Sequence, residues 1–166
     1  MKQIKVINKA KKKFNRKYPL IHQEDLVSKD NQLSVHPEWV EFVDESNQFI
    51  GYGYLGQQNK GFGWIVSFDQ QKPVNGELIT SIFSQAINRR KSFFDDTLTN
   101  AFRLFNGEGD GFGGITIDWY ENYLVISWYN ETIYSFKDEI IGYIESVLPN
   151  VFGIYEKVRF IENHNK

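Results

Sequence analysis

Between positions 103 and 120 the chain reads RLFNGEGDGFGGITIDWY, which sets Glu108 and Asp110 among five glycines, with Arg103 before them and Asp118 after. Three chemistries use such a pattern. Glycines spaced as Gly107-x-Gly109-x-Gly111 let a backbone approach a nucleotide phosphate when they open a helix. Alternating oxygen-bearing residues, here Asn106, Glu108 and Asp110 followed by Gly111, ligate calcium in an EF-hand loop. Two carboxylates in unlike surroundings divide general acid and general base roles. The flanks argue against the first two. Gly114 leads into Ile115, Thr116, Ile117, Asp118, Trp119 and Tyr120, a β-branched and aromatic run that reads as a strand rather than a helix. The terminal calcium-ligand position falls on Ile117, with Asp118 one residue late. Acids in a glycine-rich turn more often accept backbone N–H bonds and hold the loop, and Arg103 is suited to pair with one of them bidentately. No catalytic residue and no metal ligand is assigned to the run.

Cations form the second candidate site. The first 23 residues carry eight of them and no acid, whereas the remainder sets 11 cations against 21 acids, so a net charge of -2 hides a polarised chain. Lys11, Lys12, Lys13, Arg16 and Lys17 are the densest group, readable either as a phosphate-contacting patch or as a solubilising terminus. Arg89, Arg90 and Lys91 form a smaller cluster, which is either an RNA contact or a solvated helix end. The chain has no Cys, which removes disulfides, cysteine zinc sites and a thiol nucleophile from these residues. Its three His residues, His22, His36 and His164, are scattered and read as solvated or hydrogen-bonded side chains. No apolar run reaches membrane-span length and no signal-peptide pattern opens the chain, so a cytoplasmic protein without membrane contact is expected.

These residues need a scaffold, and the rest of the chain supplies one. Short apolar runs at 4–7, 39–43, 49–55 and 63–68, separated by polar turns and punctuated by Gly51 and Gly53, read as strands of a small barrel or open sandwich. A basic helical turn over 10–17 stops before Pro19. From Pro73 the character changes. Ile79, Ile82, Phe83, Ala86 and Ile87 mark an amphipathic helix over 76–90, and Asp95, Asp96 and Thr97 are placed to cap a short helix leading into Ala101, Phe102 and Arg103. The glycine block is then followed by a hairpin turning at Glu121 and Asn122, a helix over 130–148 ended by Pro149, and a strand over 151–158. The expected fold class is α+β, with a β-rich unit over 1–72 and a mixed α/β unit over 73–166.

Arg103, Leu104, Gly107, Glu108, Asp110, Gly111, Gly114, Asp118 and Tyr120 together resemble the Arg-Leu-x-x-Gly-Glu-x-Asp-Gly-x-Pro-Gly-x-x-x-Asp-x-Tyr block of PUA-containing large-subunit rRNA cytosine 5-methyltransferases, the methyltransferase I family. Gly113 stands in place of the usual proline, and Trp119 at a position often basic. Tyr18, Pro19, Gly51, Gly53 and Tyr54 are similar to the N-terminal PUA domain of that family, while Leu20, Ile21 and Trp64 depart from it. Ile154, Tyr155, Glu156 and Lys157 resemble the strand that enters the family's methyltransferase domain. The resemblance implies a small PUA-like β-barrel, then a central α/β domain, and a role in recognising structured RNA, with large-subunit rRNA as partner. It also implies that the chain is a fragment: S-adenosylmethionine and the attacking thiol would belong to a full-length parent, and no cofactor is expected here. A protein-interaction or dimerisation module that keeps the fold without RNA binding stays open, and with it a homo-oligomer. Salt dependence separates the two, because neutralised phosphates release counterions and an apolar contact does not.

Overall fold

The computed structural model describes residues 1–28, 37–98, 100–148 and 150–160, so His36, His164 and Pro149 lie outside the described residues. The chain divides into two compact units, Met1–Asn75 and Gly76–Lys166.

In the first unit, β1 (Gln3–Lys5) is followed by a 3-10 turn at Asn8–Ala10 and helix α1 (Lys11–Asn15), then β2 (Leu20–His22), a 3-10 turn at Gln23–Asp25, β3 (Val40–Val43), β4 (Phe49–Gln58) and β5 (Gly61–Ser67). The strands form one sheet in the order β1-β3-β4-β5-β2, with β1 parallel to β3 and the other pairs antiparallel. Register breaks at Phe42/Val43, Tyr52/Gly53 and Ile21/His22 bend it, as bulges do. At Gly53 a Cβ would lie 1.8 Å from the Trp64 carbonyl oxygen, so the two strands approach more closely there than any side chain permits. Ile4, Val6, Phe14, Ile21, Phe42 and Ile65 fill the core, while Tyr54 and Trp64 stack at 5.4 Å and are also buried.

The sheet is open where a barrel was expected. Strands β1 and β2 are the two ends of the ladder, and an isolated antiparallel bridge between Val6 and Leu26 links the segments that follow them. Hydrogen bonds from Ile7 N–H to the Asp25 carbonyl (2.8 Å) and from Val27 N–H to the Lys5 carbonyl (3.0 Å) flank it. The reason is local. The 3-10 turn that directly follows β2 breaks the two-residue period that a continuous closing ladder requires.

The second unit begins with α2 (Gly76–Arg89) and α3 (Lys91–Phe94), and continues through β6 (Ala101–Asn106), a 3-10 turn at Gly107–Asp110, β7 (Ile115–Tyr120), β8 (Tyr123–Trp128), α4 (Glu131–Ser135), α5 (Lys137–Val147) and β9 (Gly153–Val158). The sheet order is β6-β7-β8-β9, antiparallel except for the parallel β8–β9 pair. Two helix expectations change. The short helix lies at Lys91–Phe94, before Asp95, Asp96 and Thr97 and not after them, and residues 101–106 form the strand that enters the glycine block, with Phe102 half-buried against Trp119 and Phe105 buried against Phe83 of α2. The helix expected over 130–148 is divided at Phe136, with Asn130 capping its first segment. Glu121 (φ 43°) and Asn122 (φ 70°) both take left-handed backbone, the signature of a two-residue type I′ hairpin.

A bulge at Leu104 decides which face each β6 side chain occupies. Arg103 pairs with Asp118 but Phe105 pairs with Ile117, so Leu104 and Phe105 are both buried while Arg103 and Asn106 are both exposed. Helices α2 and α5 cover one face of the sheet through Ile79, Phe83, Ile140 and Ile144. No helix among the described residues is long and apolar enough to cross a membrane.

The cap of α4 offers a clean test of the helix start. The Asn130 side-chain oxygen accepts the Ile133 N–H at 2.8 Å in a fully buried setting. Asn130→Ala should lower unfolding free energy by about 1–2 kcal/mol, with Asn130→Asp losing less, read by urea titration of the far-UV circular dichroism.

Candidate nucleic-acid interface

The glycine block is organised around one carboxylate. Asp110, only 5% exposed at its side chain, accepts the Arg90 Nη2 donor at 2.6 Å and Nη1 donor at 3.1 Å, the Arg89 Nη2 donor at 2.8 Å, and the Asn106 backbone N–H at 2.6 Å. Helix α2 therefore delivers its last-turn arginines to the loop that follows β6. Burial pushes the Asp110 carboxyl up, but the hydrogen bonds from Arg90, Arg89 and Asn106 outweigh it and hold the group below the ordinary carboxylate value. The chain turns inside this clamp at Gly111 (φ 95°) and leaves it at Gly114 (φ 98°), conformations that side chains rarely adopt. Between them Phe112 is fully buried and stacks on Phe83 at 6.2 Å.

Arg103 makes a second pair outside the clamp. Its Nε and Nη2 donate to the two Asp118 oxygens at 2.8 and 3.3 Å across the β6–β7 pair, and Asp118 raises the guanidinium above its ordinary value. Glu108 is exposed beside the loop. The loop's Gly111 and Phe112 N–H groups are used internally, on the Glu108 and Gly107 carbonyls at 3.1 Å each. Strand β7 follows it, so no helix N-terminus faces a ligand. This arrangement does not fit the phosphate- or adenosine-binding glycine loop of a cofactor site.

The N-terminal cations split into two groups. Lys11 pairs with Asp44 at 2.9 Å, and Lys13 pairs with Asp25 while its ammonium lies 5.7 Å from the Tyr18 ring centroid. Both acids are anchors. Asp44 also accepts the Gln48 and Ser46 N–H groups, and Lys11 together with these bonds lowers its pKa against the opposing effect of burial. Asp25 accepts the His22 N–H at 2.8 Å. Lys12 and Arg16 are exposed, and Lys17, also exposed, lies 5.0 Å from the Phe68 ring centroid. Asp25 and Asp44 escaped the sequence reading. The polar run after Val43 marked a turn there, but nothing in the spacing ties position 44 to Lys11 or position 25 to Lys13.

Among the described residues no group of three or more His, Cys, Asp or Glu side chains could hold a metal ion. The arginine clamp has a measurable consequence. Asp110→Asn leaves the half-buried Arg90 without its carboxylate and should destabilise the protein by about 2–4 kcal/mol, read by chemical denaturation. With its folded-state pKa depressed, wild-type Asp110 stabilises the fold fully above the unfolded carboxylate pKa of about 3.9 and loses that contribution as pH falls through the folded value. The stability difference between wild type and D110N should therefore be flat near neutrality and shrink in acid, which urea titrations at stepped pH will show.

Residues 4–68 match the PUA-like domain family. Across 149 residues the chain is 40% identical to YwbD of Bacillus subtilis, a protein assigned as a ribosomal RNA large subunit methyltransferase, covering 89% of this chain and 37% of that one. It is 25% identical over 146 residues to ribosomal RNA large subunit methyltransferase I of Alteromonas mediterranea, covering 88% of this chain and 36% of the relative. The solved structure of a protein from Streptococcus mutans, assigned as a SAM-dependent methyltransferase, superposes with a TM-score of 0.85 at 37% identity, over 96% of this chain and 41% of that one. The chain thus spans about two fifths of the length of the relatives it matches. It contains a PUA-like domain, and its homologues are large-subunit ribosomal RNA methyltransferases and SAM-dependent methyltransferases.

Proposed function

We propose that this chain is the substrate-recognition region of an S-adenosylmethionine-dependent rRNA (cytosine-C5) methyltransferase acting in the cytoplasm. In this reading residues 1–72 are the RNA-binding PUA-like domain, residues 73–166 are the central domain, and large-subunit rRNA is the partner. The carrying observation is that the PUA-like unit exposes Lys12, Arg16 and Lys17 together on and just after α1, while Lys11 and Lys13 tie that helix to Asp44 and Asp25. The short helix is thereby fixed by two of its lysines and presents the other cations to phosphate, which positions an RNA without reading its sequence. Arg89 and Arg90 both bind Asp110, but Arg89 is half exposed and can add a phosphate contact, whereas Arg90 is largely buried. S-adenosylmethionine and the nucleophilic thiol belong, on this proposal, to a longer parent, since this chain has no Cys and its glycine loop does not fit the cofactor.

Replacing Lys12, Arg16 and Lys17 with Gln should weaken binding to a fluorescently labelled RNA hairpin evenly across sequences and flatten the salt slope by about 0.7–0.9 per lost phosphate contact. Stability should change by less than about 0.5 kcal/mol, because these side chains are exposed. Replacing Lys11 or Lys13 should instead lower stability. Absence of salt-sensitive binding by the parent chain, or an unchanged slope in the triple variant, would favour the protein-interaction module. Calorimetry of the chain with S-adenosylmethionine should register no heat of binding.

A further inference from the structure

On the sheet of the second unit, the face opposite α2 and α5 is exposed at its β7–β8 hairpin end and along β9, while Thr116 and Ser127 further along it are buried. By strand pairing this face carries Tyr120 opposite Tyr123, Tyr155 beside Val125, and Lys157 beside Ser127. Tyr120, Tyr123 and Tyr155 are 49%, 41% and 62% exposed, and the Tyr123 ring centroid lies 6.2 Å from that of Tyr155 and 6.0 Å from that of the 70% exposed Phe152. Four large aromatic side chains thus lie exposed together at this end of the sheet.

Charge says what such a row would receive. Lys157 and Arg159 extend the β9 alternation from Tyr155, and neither joins an ion pair among the described residues. Asp118, the carboxylate on this face of β7, is held by Arg103. The acid between Tyr155 and Lys157 points the other way: Glu156 accepts the Trp128 Nε1 donor at 3.0 Å. The exposed part of the face is therefore aromatic and cationic, whereas Thr116 and Ser127, on the same register, are buried. Base stacking on aromatic rings beside cations that follow the backbone is how single-stranded nucleic acid is bound without sequence preference, whereas the centre of a protein interface is depleted in charge.

We infer that the exposed β7–β8 hairpin end and β9 edge of this face are a stacking platform for single-stranded RNA, on which Tyr155, Tyr123 and Tyr120 receive bases while Lys157 and Arg159 meet phosphates. This rests on the RNA-recognition reading and adds a second contact surface, in the other unit and for unpaired rather than structured RNA.

The test is fluorescence anisotropy of the whole chain with a labelled, unstructured pyrimidine oligoribonucleotide of about ten residues. Tyr155→Ala should weaken binding about tenfold or more, Tyr155→Trp should retain it, and K157Q/R159Q should lower the salt slope by about 0.7 per lost contact. All are exposed positions, and an unchanged melting temperature will establish that the variants fold. The inference is overturned if Y155A binds the oligonucleotide like the parent, or if Y155A abolishes self-association in sedimentation while RNA affinity stays the same. If Y155A has no effect but the Lys12, Arg16 and Lys17 variant loses hairpin binding, the platform fails and the recognition reading stands. If the parent binds neither RNA, both fail.

Discussion

The second unit depends on a carboxylate that two arginines and a backbone N–H share. Asp110 joins the end of α2 to the turn between β6 and β7, so the long helix, the glycine-rich segment and the first sheet edge are set by one ionic contact. A buried carboxylate is costly without compensation, and here Arg90, Arg89 and the Asn106 N–H are directed at it. The glycines then serve geometry rather than ligand binding. They let the chain turn tightly enough for Phe112 to enter the core beside Phe83 while Asp110 stays within reach of α2.

The bulge at Leu104 carries this order into the sheet. One additional residue in β6 sends both Leu104 and Phe105 inward and leaves Arg103 and Asn106 outward, and Arg103 then neutralises Asp118 on the outer face. The same alternation on β9 places Glu156 against Trp128 and Lys137 and leaves Tyr155 and Lys157 outside. A largely antiparallel sheet with one covered face normally exposes a mixed polar surface on the other. This one concentrates aromatics and cations there, and that composition suits stacking and phosphate contact.

In the PUA-like unit, charge divides between holding the fold and facing solvent. Helix α1 is too short to be stable by itself. Phe14 anchors it in the core, and Lys11 and Lys13 bind acids that lie far away in sequence, Asp44 and Asp25. A basic segment that looks uniform in one dimension is thus two populations in three.

Much of this was legible from the residues. The strand after Gly114 follows from its β-branched and aromatic run, the hairpin from Glu121 and Asn122, and the buried stripe of α2 from Ile79, Phe83 and Ala86, because these patterns are local and short-range sterics enforce them. The nine-residue motif match likewise points to methyltransferase relatives. What only the tertiary structure decided concerns partners distant in sequence. It chose which arginine meets which aspartate, set the short helix before Asp95 and not after it, left the first sheet open, and divided Lys11 and Lys13 from Lys12, Arg16 and Lys17. These outcomes depend on pairing across many residues, where the free energy of bringing two groups together is set by the whole fold and not by the spacing of either one.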